Sequence, residues 1–228
     1  MANYSLEKQG DVFVLTMDNG ERDNTFDNET LPELIGLLDE VEASEGDAAL
    51  VLTSSHEKTW CNGINLHWML EQDQATIKAF VFQLEELFIR MALLNMPTIS
   101  CITGNAYAGG AIIATASDFR YMRQDRGRFC FSELNIKKSF THAMFELVKL
   151  LPNNLTLNEL VLTGKAMGGE ECLQKNVVHG AFAQEVLFEK SMQLANIMAT
   201  KDRKTYAALK RGLRSDIVKL DAERKSKA

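Results

Sequence analysis

The chain has 228 residues, 46% of them hydrophobic, with 25 Lys and Arg against 31 Asp and Glu and a formal charge of -6. That length supports one substantial core, a single domain with a small appendage, and argues against two full domains. An acidic balance without a basic face speaks against nucleic acid and anionic lipid as partners.

In chain order, the run Val12 to Met17 is β-branched and aromatic enough for a strand, and Asp18-Asn19-Gly20 ends it with turn chemistry. A helix follows, with Asp27 as N-cap and Leu31, Leu34, Leu38 and Val41 on one face. Ala49 to Thr53, short and apolar without alternation, reads as a buried parallel strand. A long helix carrying Ile77, Phe80, Val81, Leu84, Leu87, Phe88 and Met91 then runs to Asn95-Met96-Pro97. A second buried strand, Thr98 to Ile102, leads through a glycine-rich loop into a small-residue helix, Ala111 to Ala116. Strands alternating with helices imply an α/β core with crossover connections. Beyond Glu133 strands fade, and helices are expected over 141–151, 155–163, 169–175 and 185–199, with a charged helical tail from Lys201. The division expected is an α/β core over 1–139 and a helical region over 140–228.

Three segments could carry chemistry. In Lys58 to Asn65, Gly63 lets the backbone turn and present an outward N–H at the start of a short helix, although taken alone the loop reads first as a plain turn glycine between strand and helix. In Gly104 to Gly110, two glycines open a helix whose first turn is all small side chains, so that a carbonyl could approach the backbone N–H of Gly109. Close helix packing is the competing explanation, while the dinucleotide and P-loop fingerprints are absent. In Phe129 to Ile136, Glu133 is a lone acid among apolar neighbours at the end of a strand-like run; lost solvation would raise its pKa toward neutrality.

Taken together, these segments resemble the crotonase (enoyl-CoA hydratase/isomerase) superfamily. Asn62-Gly63-Ile64-Asn65 and Gly104 to Gly110 are similar to its two glycine motifs, and Glu133 lies at the family's usual distance behind the second. The stretch Tyr121 to Gly127 with Ser132 to Ile136 is particularly similar to the plant peroxisomal type of Δ3,Δ2-enoyl-CoA isomerase, and the similarity spans roughly residues 10 to 180. The resemblance implies an α/β crotonase-like ββα superhelix with a helical C-terminal region for trimerisation and active-site cover. It also implies an oxyanion hole from the amides of Ile64 and Gly109, an acid/base at Glu133, and substrate or coenzyme A contacts at Cys61, Asn62, Gly63, Gly110 and Ile112. The second hydratase carboxylate is replaced by Ile112, which points to double-bond isomerisation by one glutamate. A hydratase-like or other acyl-CoA lyase is the alternative, and a non-catalytic acyl-CoA-binding module is the alternative of another class. Two positions depart from the pattern: Asn65 stands where Asp is usual, and Ala108 replaces a glycine.

No metal or separate cofactor is expected, coenzyme A being part of the thioester substrate, and the implied assembly is a homotrimer or a hexamer. Cys61, Cys101, Cys130 and Cys172 are scattered without a CxxC pair and read as reduced thiols. Lys137-Lys138 and the tail Arg211 to Lys227 read as solvated faces, with contact to the coenzyme's phosphates as the alternative. The N-terminus lacks an apolar signal core and no run approaches a membrane span, so a soluble cytoplasmic protein is expected. The ending Ser226-Lys227-Ala228 suggests a peroxisomal alternative, weakened by the final Ala.

Overall fold

In the computed structural model, which describes residues 2–226, strands β1 (Tyr4–Gln9) and β2 (Val12–Met17) form an antiparallel hairpin that opens a six-stranded sheet. The N-terminal strand β1, half-exposed and polar on its outer face, carries too weak an alternation to read from sequence. Helix α1 (Thr30–Ala43) follows, its first N–H groups met by Asp27, whose Oδ1 accepts from the amides of Glu29 (3.1 Å) and Thr30 (3.0 Å). Strand β3 (Ala49–Ser54) then enters the sheet parallel to β2.

From here the chain repeats one unit three times. Strand β3 joins the large sheet and the short strand β4 (Thr59–Cys61) a second, three-stranded sheet; helices α2 (Leu66–Leu70) and α3 (Gln74–Leu93) follow. Likewise β5 (Thr98–Ile102) and β6 (Asn105–Tyr107) precede α4 (Gly109–Ala116), and β7 (Phe119–Arg123) and β8 (Phe129–Cys130) precede a 3-10 turn, Leu134–Ile136. The large sheet has the order β1-β2-β3-β5-β7, and the small sheet, β4-β6-β8, is parallel throughout.

Helices α5 (His142–Val148), α6 (Asn154–Thr163) and α7 (Gly169–Gln174) lead to β9 (Gly180–Phe182), which pairs with β7 as the far edge strand. The expectation that strands end before residue 140 therefore needs correction: a three-residue strand with a Gly start is too short to show a period. Helix α8 (Gln184–Met198) covers one face of the large sheet, where Val12, Val14, Ala49, Val51, Ile99 and Cys101 pack against Leu187 and Ala195. Their neighbours Phe13, Leu15, Leu50 and Leu52 point to the other face and the main core, the two-residue period of strands buried on both sides.

The charged tail forms two helices, α9 (Arg203–Leu213) and α10 (Ser215–Lys225), and several of its charges are buried. Lys210 Nζ lies 2.7 Å from Asp118 and donates to the carbonyls of Leu94 (2.9 Å) and Met96 (2.6 Å); Arg214 reaches the same carboxylate at 3.0 Å. Arg224 pairs with Glu85 and stacks over Phe82. A wholly solvated face was the wrong reading, because sequence shows the charge but not the carbonyls and acids that α3 and the loop before β7 present to it. By these anchors α10 packs on α3 and α5 of its own chain. Of the terminal Ser226-Lys227-Ala228, Lys227 and Ala228 lie outside the described residues. No described helix is long and apolar enough to cross a membrane.

Candidate active site

Strand β4 ends at Cys61, and Gly63 turns the chain with φ at 77°. The turn is held by a segment that sequence reading did not single out. Phe26 donates its N–H to the Gly63 carbonyl (2.7 Å) and accepts from the Asn65 N–H (2.9 Å), a parallel bridge centred on Ile64. In such a bridge the flanking groups face the partner and the central residue's own N–H faces away. Among the described residues the Ile64 amide donates to no backbone acceptor, whereas Gly63 donates to Cys61 Sγ at 3.4 Å. Asn65 Oδ1 accepts from the Trp68 amide (3.1 Å), capping α2, and its Nδ2 donates to Asp27 (3.3 Å).

The second loop leaves β6 at Tyr107. Ala108 takes φ 47° and ψ -120°, a left-handed conformation that a Cβ disfavours, and donates its N–H to Cys130 O at 2.9 Å. Gly109 is the first residue of α4, so its N–H belongs to the unpaired first turn. The two loops touch through backbone: a Cβ on Gly63 would stand 2.6 Å from the Gly109 nitrogen, and one on Gly110 2.0 Å from the Cys61 carbonyl oxygen. Side chains at either glycine would drive the loops apart.

Ile64 and Gly109 line one cavity of about 290 Å³ with Glu133. Strand β8 stops at Cys130, so Glu133 sits not in a strand but at the start of the 3-10 turn, fixed by Lys138 N–H donating to its carbonyl at 2.9 Å. Among the described residues its Oε2 is buried without a hydrogen-bond partner. Burial, only partly offset by its own backbone N–H, pushes its pKa up to about 7. Among the described residues lining the cavity, Glu133 is the one carboxylic acid, with Ile112, Val81, Leu84 and Met144 among its apolar neighbours.

Of the other residues singled out from sequence, Asn62 and Ile112 line this cavity. Cys61, Gly63 and Gly110 are buried behind it, where they set the backbone contact between the loops. Burial also pushes the Cys61 thiol up to about 12, too high for a thiolate nucleophile at neutral pH. Lys138, read as part of a solvated face, is exposed as expected and also lines the cavity with Ser139 and Thr141. Among the described residues no group of three or more His, Cys, Asp or Glu is placed to hold a metal ion.

The fold is that of the crotonase-like α/β enzymes, a ββα superhelix with two loop amides and a carboxylate on one cavity. A family model described as enoyl-CoA hydratase/isomerase matches residues 7–227, and the chain belongs to that family. It is 31% identical to the peroxisomal enoyl-CoA delta isomerase 2 of Arabidopsis thaliana, over 92% of this chain and 91% of that one. It is 29% identical to enoyl-CoA delta isomerase 3 of the same plant, over 95% and 94%. A solved enoyl-CoA hydratase/isomerase family protein from Pseudomonas syringae superposes with a TM-score of 0.89 at 20% identity, covering 98% of this chain and 96% of that one.

Proposed function

We propose that this chain is a Δ3,Δ2-enoyl-CoA isomerase, moving the double bond of a 3-enoyl-CoA to the 2-trans position in fatty-acid β-oxidation. The single observation that carries this reading is one carboxylate, poised near neutral pKa, on the same cavity as the free amides of Ile64 and Gly109. The ionised Glu133 removes a proton from C2, breaking the C2–H bond. The electron pair delocalises over C2 and the thioester carbonyl, giving a dienolate whose oxygen accepts from the two N–H donors. Donors of this kind are each commonly worth about 3 kcal/mol of transition-state stabilisation. The protonated Glu133 then returns its proton to C4, and the double bond settles between C2 and C3. Hydration would need a second group to activate water; the resemblance puts that group at Ile112, here an apolar side chain that lines the cavity. Coenzyme A enters with the substrate and leaves with the product, and no separate cofactor takes part.

The test follows formation of the conjugated product by absorbance, with wild type and Glu133→Gln. The expected result is turnover by wild type and a loss of about 10² to 10⁴-fold in the variant. Hydration of 2-enoyl-CoA in place of isomerisation would support the hydratase alternative, and tight acyl-CoA binding without turnover by either protein the binding module. A homotrimer is the assembly that goes with this reading. Exposed Leu155, Leu162, Leu173 and Ile197 supply apolar surface for it to cover, and sedimentation equilibrium gives the mass. A cytoplasmic location goes with it as well, with the peroxisome as alternative, and imaging of the tagged chain distinguishes them.

A further inference from the structure

We infer that Asp27 is a positioning residue for the thioester oxygen: its Oδ2 holds Asn65 and, through it, keeps the Ile64 amide on aim. This rests on the reading of that amide as one of the two oxyanion donors. The Asp27 side chain is buried, 2% exposed, and its two oxygens serve different segments. Oδ1 accepts from the amides of Glu29 (3.1 Å) and Thr30 (3.0 Å) and from Thr30 Oγ1 (3.1 Å), which is the work of a helix cap. Oδ2 takes no part in that cap. It accepts from Arg22 Nη2 at 2.6 Å and from Asn65 Nδ2 at 3.3 Å. Since Arg22 is 43% exposed, its pair with Asp27 adds little to folding, and the bond to Asn65 is the contact that reaches the site.

Residues 26 and 27 together grip the stretch that carries the donor. Phe26 takes the backbone on either side of Ile64, its N–H donating to Gly63 O (2.7 Å) and its carbonyl accepting from Asn65 N–H (2.9 Å). In a trans peptide the Ile64 N–H points opposite to the Gly63 carbonyl, so this grip sets the donor's direction. The bond from Asn65 Nδ2 to Asp27 adds a third point of attachment, and the amides at the start of α1 fix its far end. Asn65 keeps its own Oδ1 on the Trp68 amide (3.1 Å), so one side chain ties α2 to α1 across the loop. Such fixity matters because an oxyanion donor acts only within about 2.7–3.1 Å of the oxygen, and a displacement of about 1 Å costs about 10²-fold in rate. The Gly109 amide stands on other supports, α4 and the bond from Ala108 N–H to Cys130 O, so Asp27 governs one donor of the two.

The experiment is infrared difference spectroscopy of hexanoyl-CoA, isotope-labelled at its thioester carbonyl, bound to wild type, Asp27→Asn, Asn65→Ser and the swap Asp27→Asn with Asn65→Asp. Asp27→Asn keeps one oxygen for the α1 cap but turns a donor toward Asn65; Asn65→Ser keeps a cap for α2 but loses the donor to Asp27. In wild type the carbonyl band should move to lower frequency on binding, and each single variant should lose more than about half of that shift. The swap sets a donor against an acceptor again and should restore it. Affinity for hexanoyl-CoA is expected to stay within about threefold, while kcat for a 3-enoyl-CoA falls about 10- to 100-fold in the single variants with KM unchanged. An Asp27 that only stabilises the fold would lower the melting temperature and leave the band where it was. Should Asp27→Asn not fold, Asn65→Ser carries the same measurement from the other side of the bond. A full wild-type shift in a single variant that binds the ligand overturns the inference. No shift in wild type removes the oxyanion donor itself, and the inference with it. The expected band pattern without turnover of 3-enoyl-CoA counts against the isomerase chemistry and still supports the role of Asp27.

Discussion

A Cβ on Gly63 would stand 2.6 Å from the amide nitrogen of Gly109, so the two loops that carry the free N–H groups are in backbone contact at a point where no side chain fits. Gly63 also has φ at 77°, a conformation that costs an L-residue roughly 1–2 kcal/mol. Gly63→Ala is expected to lower kcat at least 10²-fold by moving a donor out of reach of the developing oxyanion. Kinetics alongside a melting curve separate this from unfolding, and a fully active Ala variant would show that the contact does not set the geometry.

Ala108 holds the same loop in a left-handed conformation, φ 47°. Ala108→Gly relieves that strain at the expense of greater freedom in the unfolded chain, for a net gain of about 0.5–1 kcal/mol. For a domain of this size the melting temperature should rise by about 1–4 °C. A fall would mean that the Ala methyl contributes packing that outweighs the strain.

The raised pKa of Glu133 ties both activity and stability to pH. Its base form is lost on acidification, so kcat/KM should fall about tenfold per pH unit below a midpoint near 7. For stability, the native chain keeps the Glu133 proton up to about pH 7, whereas the unfolded chain releases it near 4.5. Between these values the native state holds more protons, and this site's contribution to stability falls as pH rises. Glu133→Gln should therefore be more stable than wild type by about 2–3 kcal/mol at pH 8, with the difference vanishing toward pH 4. Urea unfolding of both proteins across that range measures it, and a pH-independent difference would contradict the buried carboxylate.

Asn65 donates to Asp27 while capping α2. Burial pushes the Asp27 carboxyl up, but amide donors from Thr30 and Glu29 and the charge of Arg22 outweigh it and hold its pKa below the usual carboxylate value. Asn65→Asp would set a second anion against it, with an expected loss of about 1–3 kcal/mol at neutral pH that shrinks on acidification. Thermal melts at pH 7 and pH 4.5 report it. A neutral effect at pH 7 would mean that Arg22 compensates both charges.

Asp118 lies against Lys210 and Arg214, all three nearly buried. Removing the acid leaves two cations without a counter-charge, so Asp118→Ala should cost about 3–5 kcal/mol. Loosening of α9 and α10 should appear first, as faster hydrogen exchange in residues 203–225.

The long helices and buried strands were legible because their periods repeat over enough residues to register: Leu31, Leu34, Leu38 and Val41 on α1, or the apolar run of β3. Strands β4, β6, β8 and β9 were not, since two or three residues carry no period. The resemblance pointed to Ile64, Gly109 and Glu133, but not to what holds them. Phe26 clamps the first loop through backbone hydrogen bonds, which leave no mark on residue type, and Lys138 lines the cavity from an exposed position.

The three-stranded sheet has a consequence for how such a site can change. Ile64 comes three residues after β4, Gly109 two after β6 and Glu133 three after β8, all from the same end of parallel neighbours. Each successive coil of the chain thus delivers one instrument to a shared workbench, with its own connecting helices behind it. Exchanging the tool on one coil leaves the aim of the other two intact, so that one side chain can change while the backbone amides of the other coils keep their places.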